Sequence, residues 1–209
     1  DRTDVTLIVV TKTWPGDDVR RLAGLGVRDV GENRDQEAAP KAAASDDLDL
    51  TWHFIGQLQT NKAKSVARYA DLVHSVDRLS LVAALDKGAA KAGRRIGCLI
   101  EVDLTDSDAG APGDTPGHND GRGGARPDDV AALADAIAAA DHLDLRGVMG
   151  VAPLDRDDQR AASAQAFARL AQISADLRRA HPEATLMSAG MSEDLEEAVA
   201  AGATHLRVG

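Results

Sequence analysis

Lys12 is the first residue whose type and position suggest chemistry. It follows an almost wholly apolar run at residues 5–10 and precedes a turn marked by Trp14, Pro15 and Gly16. A continuous apolar run of this length is typical of a strand that is buried on both faces, as in a parallel sheet. A lysine at the carboxyl end of such a strand lies where α/β folds build their sites, although a lysine that merely extends into solvent gives the same pattern.

A second candidate site lies near the end of the chain, where residues 188–192 read Ser-Ala-Gly-Met-Ser. Gly190 permits close approach of a ligand to the backbone, and Ser188 and Ser192 supply hydroxyl donors. Ser192 can also cap the next helix and leave backbone N–H groups free to face an anion. An ordinary capped turn gives the same pattern, and the acidic residues 193–194 would repel a phosphate unless they point outward.

The two stretches would meet in a closed barrel, in which the first and eighth strands are neighbours. Lys12 would then share one rim with Ser192 and with Arg207, which lies in an Arg-Val-Gly run at residues 207–209. A phosphorylated aldehyde requires such a pair of sites, because an amine can form a Schiff base while the other end binds the phosphate. Arg207 is a charged donor, so beside a pyridine nitrogen it would disfavour protonation of that nitrogen.

The elements that must position these residues follow one repeated pattern, in which a short apolar run precedes an amphipathic, alanine-rich helix. We expect strands at residues 5–10, 27–30, 52–56, 72–76, 96–104, 143–151, 185–188 and 204–209. Eight alternating units predict an α/β fold, a (β/α)8 TIM barrel, formed by one domain over residues 1–209. A doubly wound open sheet is the alternative.

Two features depart from a regular barrel. Residues 105–126 are rich in Gly, Asp and Pro, and we interpret this segment as a mobile surface loop. The chain also starts on the first strand and stops on the eighth, which leaves the seam between them without a covering helix. We therefore expect terminal helices, before Asp1 and after Gly209, that are missing from this sequence.

Composition excludes several classes of function. The formal net charge of −10 argues against a nucleic-acid or anionic-membrane partner, because both need a basic surface. The single cysteine, Cys98, excludes an internal disulfide and lies in an apolar run that suggests core packing. The six histidines do not cluster at metal-ligand spacing, so we expect no metal site. No apolar stretch approaches the roughly 20 residues of a membrane span, and a cytoplasmic protein is expected.

Five motifs, in order along the whole chain, carry a family resemblance. They are Val10-Thr11-Lys12-Thr13, Gly31-Glu32-Asn33, residues 52–62, Ser188-Ala189-Gly190-Met191-Ser192 and Arg207-Val208-Gly209. The string His-Phe-Ile-Gly-x-Leu-Gln-x-Asn-Lys at residues 53–62 is the most specific. Together the motifs resemble the pyridoxal phosphate homeostasis proteins, also called the proline synthetase co-transcribed or YggS family.

This resemblance implies a barrel similar to the N-terminal domain of alanine racemase, with pyridoxal 5′-phosphate (PLP) bound as a covalent aldimine on Lys12. It implies that Arg207 faces the pyridine nitrogen and that Asn33 and His53 line the pocket. The residues that it implies for the phosphate, largely through backbone amides, are Ser188, Gly190, Met191, Ser192 and Gly209. Ala189 departs from the commoner Ser-Met-Gly-Met-Ser motif, a mild change where backbone amides bind the phosphate.

The resemblance also implies a role in PLP homeostasis, by buffering or delivery, without catalytic turnover. PLP racemases need a second acid or base opposite the lysine, often a tyrosine. The only tyrosine here, Tyr69, follows the third predicted helix, and His53 is the remaining candidate. Two alternatives stay open: a PLP-dependent amino-acid racemase using Lys12 with His53, and a Schiff-base aldolase or isomerase for a small phosphorylated molecule. Delivery would require PLP-dependent apo-enzymes as partners, and we expect a monomer because no second domain is present.

Overall fold

The computed structural model describes residues 5–105, 123–154 and 158–209. Eight parallel strands close into a barrel in chain order, with β1 paired to β8. The strands are β1 (Thr6–Val10), β2 (Asp29–Glu32), β3 (Thr51–Phe54), β4 (Leu72–Val76), β5 (Ile96–Val102), β6 (Leu143–Gly150), β7 (Leu186–Ser188) and β8 (His205–Val208). The predicted TIM barrel is confirmed, and the pairing of its first and last strands rules out the open sheet.

Helices surround the barrel between successive strands. They are α1 (Gly16–Gly24), α2 (Asp35–Ala43), α3 (Ala63–Val66), α4 (Leu79–Ala92), α5 (Val130–Ala138), α6 (Gln159–Ala180) and α7 (Leu195–Ala200). Short 3-10 turns at Thr60–Lys62 and Pro127–Asp129 lead into α3 and α5. Within the described ranges, none of these helices has the length and apolar character needed to cross a membrane.

The apolar core has two layers, one outside the barrel wall and one inside it. The outer layer packs strands against helices, as where Val30 of β2 meets Val19 of α1. Ile8 and Val10 of β1 lie inside, because their methyl groups stand 2.9 and 3.6 Å from the place of a Cβ on the inward-facing Gly31. Successive strand residues alternate between the two layers, so each strand presents every second side chain to the barrel interior.

The second strand was predicted two residues too early, at residues 27–30, and in fact spans Asp29–Glu32. Gly31 resembles a turn residue in the sequence, but its lack of a side chain accommodates the methyl group of Ile8 inside the barrel. The identification of Cys98 as a core residue is confirmed, since its side chain is fully buried.

The segment predicted to be a mobile loop, residues 105–126, lies mostly outside the described residues. Its final part is attached to the barrel: Ala125 donates its N–H to the carbonyl of Glu101 at 2.7 Å and accepts from the N–H of Asp103 at 2.9 Å. This short bridge extends the edge of β5. The described end of the predicted loop is therefore hydrogen-bonded to the barrel through Ala125.

Candidate functional site

Lys12 lies on the turn that leaves β1, at the carboxyl end of the barrel, and is exposed. Strand alternation puts residue 12 on the same side as Ile8 and Val10, toward the barrel mouth. Gly209 follows β8 on the neighbouring strand, and a Cβ there would lie only 2.3 Å from the carbonyl oxygen of Val10. The closed seam therefore brings Lys12 and Gly209 to one rim, and only glycine fits at the second position.

A buried polar cluster forms hydrogen bonds to the turn that carries Lys12. The Lys41 ammonium donates to Glu32 Oε1 at 2.6 Å and to the carbonyl of Thr11 at 2.8 Å. The hydroxyl of Thr11 donates to the same Glu32 oxygen at 2.7 Å. Thr13 has a positive φ of 68°, and Glu37 accepts its backbone N–H at 3.0 Å. No local sequence pattern predicts the cluster as a whole, although the i, i+4 spacing of Glu37 and Lys41 indicates a shared helix face.

The turn between β7 and α7 is tight at Gly190 and leaves two backbone N–H groups unbonded within the described residues. Gly190 adopts a φ of 90°, and a Cβ there would lie 2.6 Å from that of Ala198. Met191 and Ser192 are exposed on the rim. In the part of the chain that the structure describes, the backbone N–H groups of Gly190 and Ser192 donate to no protein acceptor. These two amides are available to a ligand.

The predicted cap of the following helix was wrong. Helix α7 begins at Leu195 with Asp194 as its N-cap, not at Ser192. Asp194 is buried, and its carboxylate accepts the N–H of Met191 at 2.6 Å. Glu193 is exposed, so only the first of the two acidic residues lies outward as a phosphate site would require. Asp194 instead shapes the turn, because it fixes the amide of Met191.

Ser188 and Arg207 meet inside the barrel, just below the rim. Arg207 donates from Nη1 to Ser188 Oγ at 2.7 Å and from Nη2 to the carbonyl of Gly150 at 3.0 Å. Burial lowers the pKa of Arg207 to about 10, while Glu101 and Asp194 act in the opposite direction. Arg207 therefore keeps its charge at neutral pH.

His53 lies deeper than the predicted rim position and is almost fully buried. Its Nε2 is 3.0 Å from Asp29 Oδ1, and its Nδ1 is 2.9 Å from Nε2 of His74. Nδ1 of His74 is in turn 3.0 Å from Ser188 Oγ. Burial, with smaller contributions from His53 and Arg207, holds the pKa of His74 well below 6.5. His74 was missed because a histidine in an apolar strand carries no sequence signal of its partners.

Four buried polar atoms at the carboxyl ends of strands have no partner within the described residues: Glu32 Oε2, in the cluster with Lys41, and Asn33 Oδ1, Ser75 Oγ and Glu101 Oε2. Burial, reinforced by the negative charge of Asp77, raises the pKa of Glu101 to about 7, against the opposing influence of Arg207. Glu101 belongs to β5, which lies four strands from β1 and therefore across the ring from Lys12. Unpaired buried polar groups of this kind need a ligand or ordered water.

The rim thus combines an amine, two free amides and a buried guanidinium with unpaired polar atoms. Among the residues that the structure describes, no group of three or more His, Cys, Asp or Glu side chains could hold a metal ion. The donor set suits a small anionic ligand that also reacts with an amine.

Known proteins share both the sequence and the fold. The family described as "Alanine racemase, N-terminal domain" matches residues 4–209. The pyridoxal phosphate homeostasis protein of Pseudomonas aeruginosa is 36% identical over 209 residues, which cover 100% of this chain and 84% of the relative. This chain belongs to the pyridoxal phosphate homeostasis protein family. The family identified from the five motifs is confirmed.

Other members of the pyridoxal phosphate homeostasis protein family agree. The Escherichia coli protein is 31% identical over 209 residues, covering 99% of this chain and 83% of its own length. The structure of PipY from Synechococcus elongatus with PLP bound has a TM-score of 0.83 and 36% identity, covering 99% of this chain and 91% of PipY. Alanine racemase of Clostridium difficile, at 13% identity and a TM-score of 0.77, shares the fold alone.

Proposed function

We propose that this chain binds PLP at the barrel mouth, through a Schiff base on Lys12, and serves PLP homeostasis by buffering or delivery. The observation that carries the proposal is the common rim of Lys12, the turn at residues 188–192 and Arg207, in a relative of a protein with PLP bound. A phosphorylated aldehyde needs an amine and an anion site that face the same pocket.

The residues present fit PLP. The amides of Gly190 and Ser192 lack acceptors, and the glycines at 190 and 209 leave room where a side chain would collide with the backbone or a neighbour. The unpaired Oδ1 of Asn33 and Oε2 of Glu101 further support a polar ligand in the mouth. These features favour a barrel end that binds a ligand over one whose polar groups are all paired within the protein.

The residues around the barrel mouth would contact different parts of PLP. Lys12 would hold the aldehyde, while Gly190, Ser192 and Gly209 would hold the phosphate; Met191 was also expected there, but its N–H donates to Asp194, so we propose that it only lines the turn. When bound, PLP supplies a reactive aldehyde and an electron-withdrawing ring. Arg207 would donate to the pyridine nitrogen, and because arginine has no acceptor, it would keep that nitrogen unprotonated.

Two further residues receive different roles from those first expected. Ser188 is fully buried against Arg207, so we propose that it supports the guanidinium from below and does not contact the phosphate. His53 is bonded between Asp29 and His74 beneath the mouth, so it would not line the pocket directly. Asn33 keeps its proposed place in the pocket wall.

Carriage without turnover is favoured by the surroundings of Tyr69 and His53. The hydroxyl of Tyr69 donates to Asp35 at 3.4 Å, and its ring packs edge-on against Trp52, outside the barrel wall. His53 has both ring nitrogens engaged within the barrel. Neither of these residues is therefore available opposite Lys12 as the second acid or base of a racemase.

A PLP-dependent amino-acid racemase is the second candidate, and Glu101 is the observation that favours it. This carboxyl group lies across the ring from Lys12, has an unpaired buried oxygen, and has a pKa of about 7. A group with these properties could exchange a proton near neutral pH. Turnover of alanine that is lost in Glu101→Gln, with PLP binding retained, would establish this activity and overturn carriage without turnover.

The central experiment is visible absorption of the purified chain after incubation with PLP. We expect the absorption of a lysine Schiff base in the wild type and its loss in Lys12→Ala, with Lys91→Ala on the exposed face of α4 as the matched control. Borohydride reduction followed by peptide mass spectrometry should then locate the adduct on Lys12. An adduct confined to other lysines would contradict the proposal.

Three further parts of the proposal concern the protein in the cell. We propose a cytoplasmic protein that acts as a monomer and delivers PLP to PLP-dependent apo-enzymes. Light scattering coupled to size-exclusion chromatography tests the monomer. Transfer of PLP to an apo-enzyme, measured as recovered activity at a rate above that of dissociation into buffer, tests delivery.

A further inference from the structure

A continuous line of side chains crosses the barrel interior from β2 to β8. Asp29, the first residue of β2, contacts His53, which contacts His74, which contacts Ser188, which accepts from Arg207. Four hydrogen bonds of 2.7–3.0 Å therefore join Asp29 to Arg207. Asp29 is about a quarter exposed, with 26% of its side chain accessible, whereas His74 and Ser188 are fully buried.

With one proton on each histidine, the chemistry of the two ends fixes the direction of every bond between them. The guanidinium of Arg207 can only donate, so Ser188 Oγ accepts at that end. The carboxylate of Asp29 can only accept, so Nε2 of His53 carries the proton at the other end. A neutral His53 then accepts at Nδ1, which requires that His74 carry its proton on Nε2.

The remaining bond completes the line. With its proton on Nε2, His74 presents a lone pair at Nδ1, and the hydroxyl of Ser188 donates to it. Every donor meets an acceptor in this single arrangement, which agrees with the complete burial and low pKa of His74. With its proton on Nδ1 instead, His74 would donate to Ser188 Oγ, which already accepts from Arg207. The hydroxyl of Ser188 would then need another acceptor for its own proton.

We propose that His74 is a positioning residue for Arg207: it acts through Ser188, in a one-directional hydrogen-bond chain whose direction is set by Asp29. This hydrogen-bond chain fixes one side of the Arg207 guanidinium and leaves the remaining N–H groups of Arg207 to face the barrel mouth. What those groups contact there rests on the proposed function, but the positioning itself concerns the ligand-free protein.

The other titratable groups near the line are the imidazole of His205 and the charged groups around Arg207. The ring of His205 lies 6.1 Å from that of His53, and burial lowers the pKa of His205 to about 4, so it is neutral at pH 7. Arg146 acts on His205 in the same direction. Glu101 and Asp194 act on Arg207 and favour its charged form.

The first test reads the tautomers directly in the ligand-free protein. Long-range ¹H–¹⁵N spectra of histidine-labelled protein should show one proton, on Nε2, in both His53 and His74. The proton of His74 on Nδ1, or fast averaging between the two nitrogens, would overturn the proposal. Asp29→Asn removes the acceptor-only group at the far end, and we expect it to populate the opposite tautomer of His74.

The second test follows Arg207. In arginine-labelled protein the guanidinium protons of Arg207 should exchange slowly with solvent, and exchange should become at least about tenfold faster in His74→Gln and in Ser188→Ala, since each loses a hydrogen bond in the line. His142→Gln is the matched control, because His142 bonds Asp86 outside the line. Unchanged exchange in both variants, with folded spectra, would refute the positioning role.

PLP-loaded protein separates this inference from the proposed function. If wild type binds PLP, His74→Gln and Ser188→Ala should raise the Kd for PLP about tenfold and shift the visible absorption, while His142→Gln should not. A wild-type protein that binds no PLP would refute the proposed function, and the tautomers and Arg207 exchange would still decide the inference. Normal PLP binding in both variants, with normal exchange, would refute the inference alone.

Discussion

Glu32 and Lys41 form a buried ion pair directly beneath the turn that presents Lys12. Their charged atoms are 2.6 Å apart, and the two side chains are only 1% and 9% exposed. The pair also binds both the hydroxyl and the carbonyl of Thr11, the residue that precedes Lys12. The exposed Lys12 therefore follows a residue whose carbonyl and hydroxyl are both bonded to a buried ion pair, which limits the positions that the backbone of Lys12 can adopt.

Removing one member of this pair should destabilise the protein strongly. We expect Lys41→Met to lower the free energy of unfolding by about 3–5 kcal/mol, because it leaves the Glu32 carboxylate buried without its cation. The double variant Glu32→Gln/Lys41→Met should recover much of that loss. Urea unfolding gives the measurement, and Arg20→Met, which breaks an exposed pair with Asp47, should have a much smaller effect. Equal losses in the single and double variants would contradict this account.

The space around Gly190 should matter more than its backbone conformation. Gly190 and Gly202 have nearly the same φ, 90° and 95°, so alanine is strained to a similar extent at both positions. A Cβ on Gly190 would also lie 2.6 Å from Ala198, whereas nothing lies within 4 Å at Gly202. We expect Gly190→Ala to cost about 1–3 kcal/mol more than Gly202→Ala in the free energy of unfolding. Equal costs would show that the turn relaxes freely.

Glu101 should govern part of the pH dependence of stability. Burial raises its pKa from 4.5 to about 7, so between these values the folded protein keeps a proton that the unfolded chain has lost. The contribution of Glu101 to the free energy of unfolding therefore falls as pH rises from about 4.5 to about 7. His205 acts in the opposite sense from about pH 4 to 6.5, because its pKa is lowered on folding.

Glu101→Gln removes the first of these two effects. In the ligand-free variant the free energy of unfolding should rise more steeply with pH than in wild type, by about 1.4 kcal/mol per pH unit between pH 4.5 and 7. Urea titrations at half-unit intervals measure the two curves. Parallel curves for variant and wild type would mean that Glu101 is ionised across this range.

The thiol of Cys98 should report on opening of the barrel wall. The side chain is fully buried in β5, and burial raises its pKa to about 12. We expect almost no reaction with a thiol reagent in native buffer and complete reaction in denaturant, because the reactive thiolate forms only when the strand is exposed. Rapid labelling of the native protein would contradict the burial of this strand.

The sequence was sufficient for the architecture because eight short strand segments alternate regularly with amphipathic, alanine-rich helices. The placement of Lys12 and of the turn at residues 188–192 at the same end of the barrel was also predictable, because each follows a strand that neighbours β8 in the closed barrel. The bounds of β2 were misjudged at Gly31, where a residue without a side chain serves packing.

The interior contacts could not be predicted in the same way. His74 and Ser188 are 114 residues apart, and only the closed barrel makes them neighbours. The role of Asp194 could not be predicted either, because an aspartate that accepts a backbone N–H within a turn has the same sequence context as one that points to solvent. Partners of buried polar groups depend on the register of eight strands, which the local pattern does not contain.

The uneven pairing of β8 has a consequence for folding. This strand is paired with β1 at four positions but with β7 at only one. Backbone hydrogen bonds also join residues 187–190 to residues 204–207, so β8 is attached on both sides. Its pairing with β1 joins the two ends of the barrel sequence, so this contact has the highest loop-closure cost and forms late. A ligand that contacts both Lys12, after β1, and the turn after β7 would hold β8 between its two neighbouring strands. Its binding energy would add to barrel closure, so a nascent chain would acquire affinity for the ligand only when its final strand is in place.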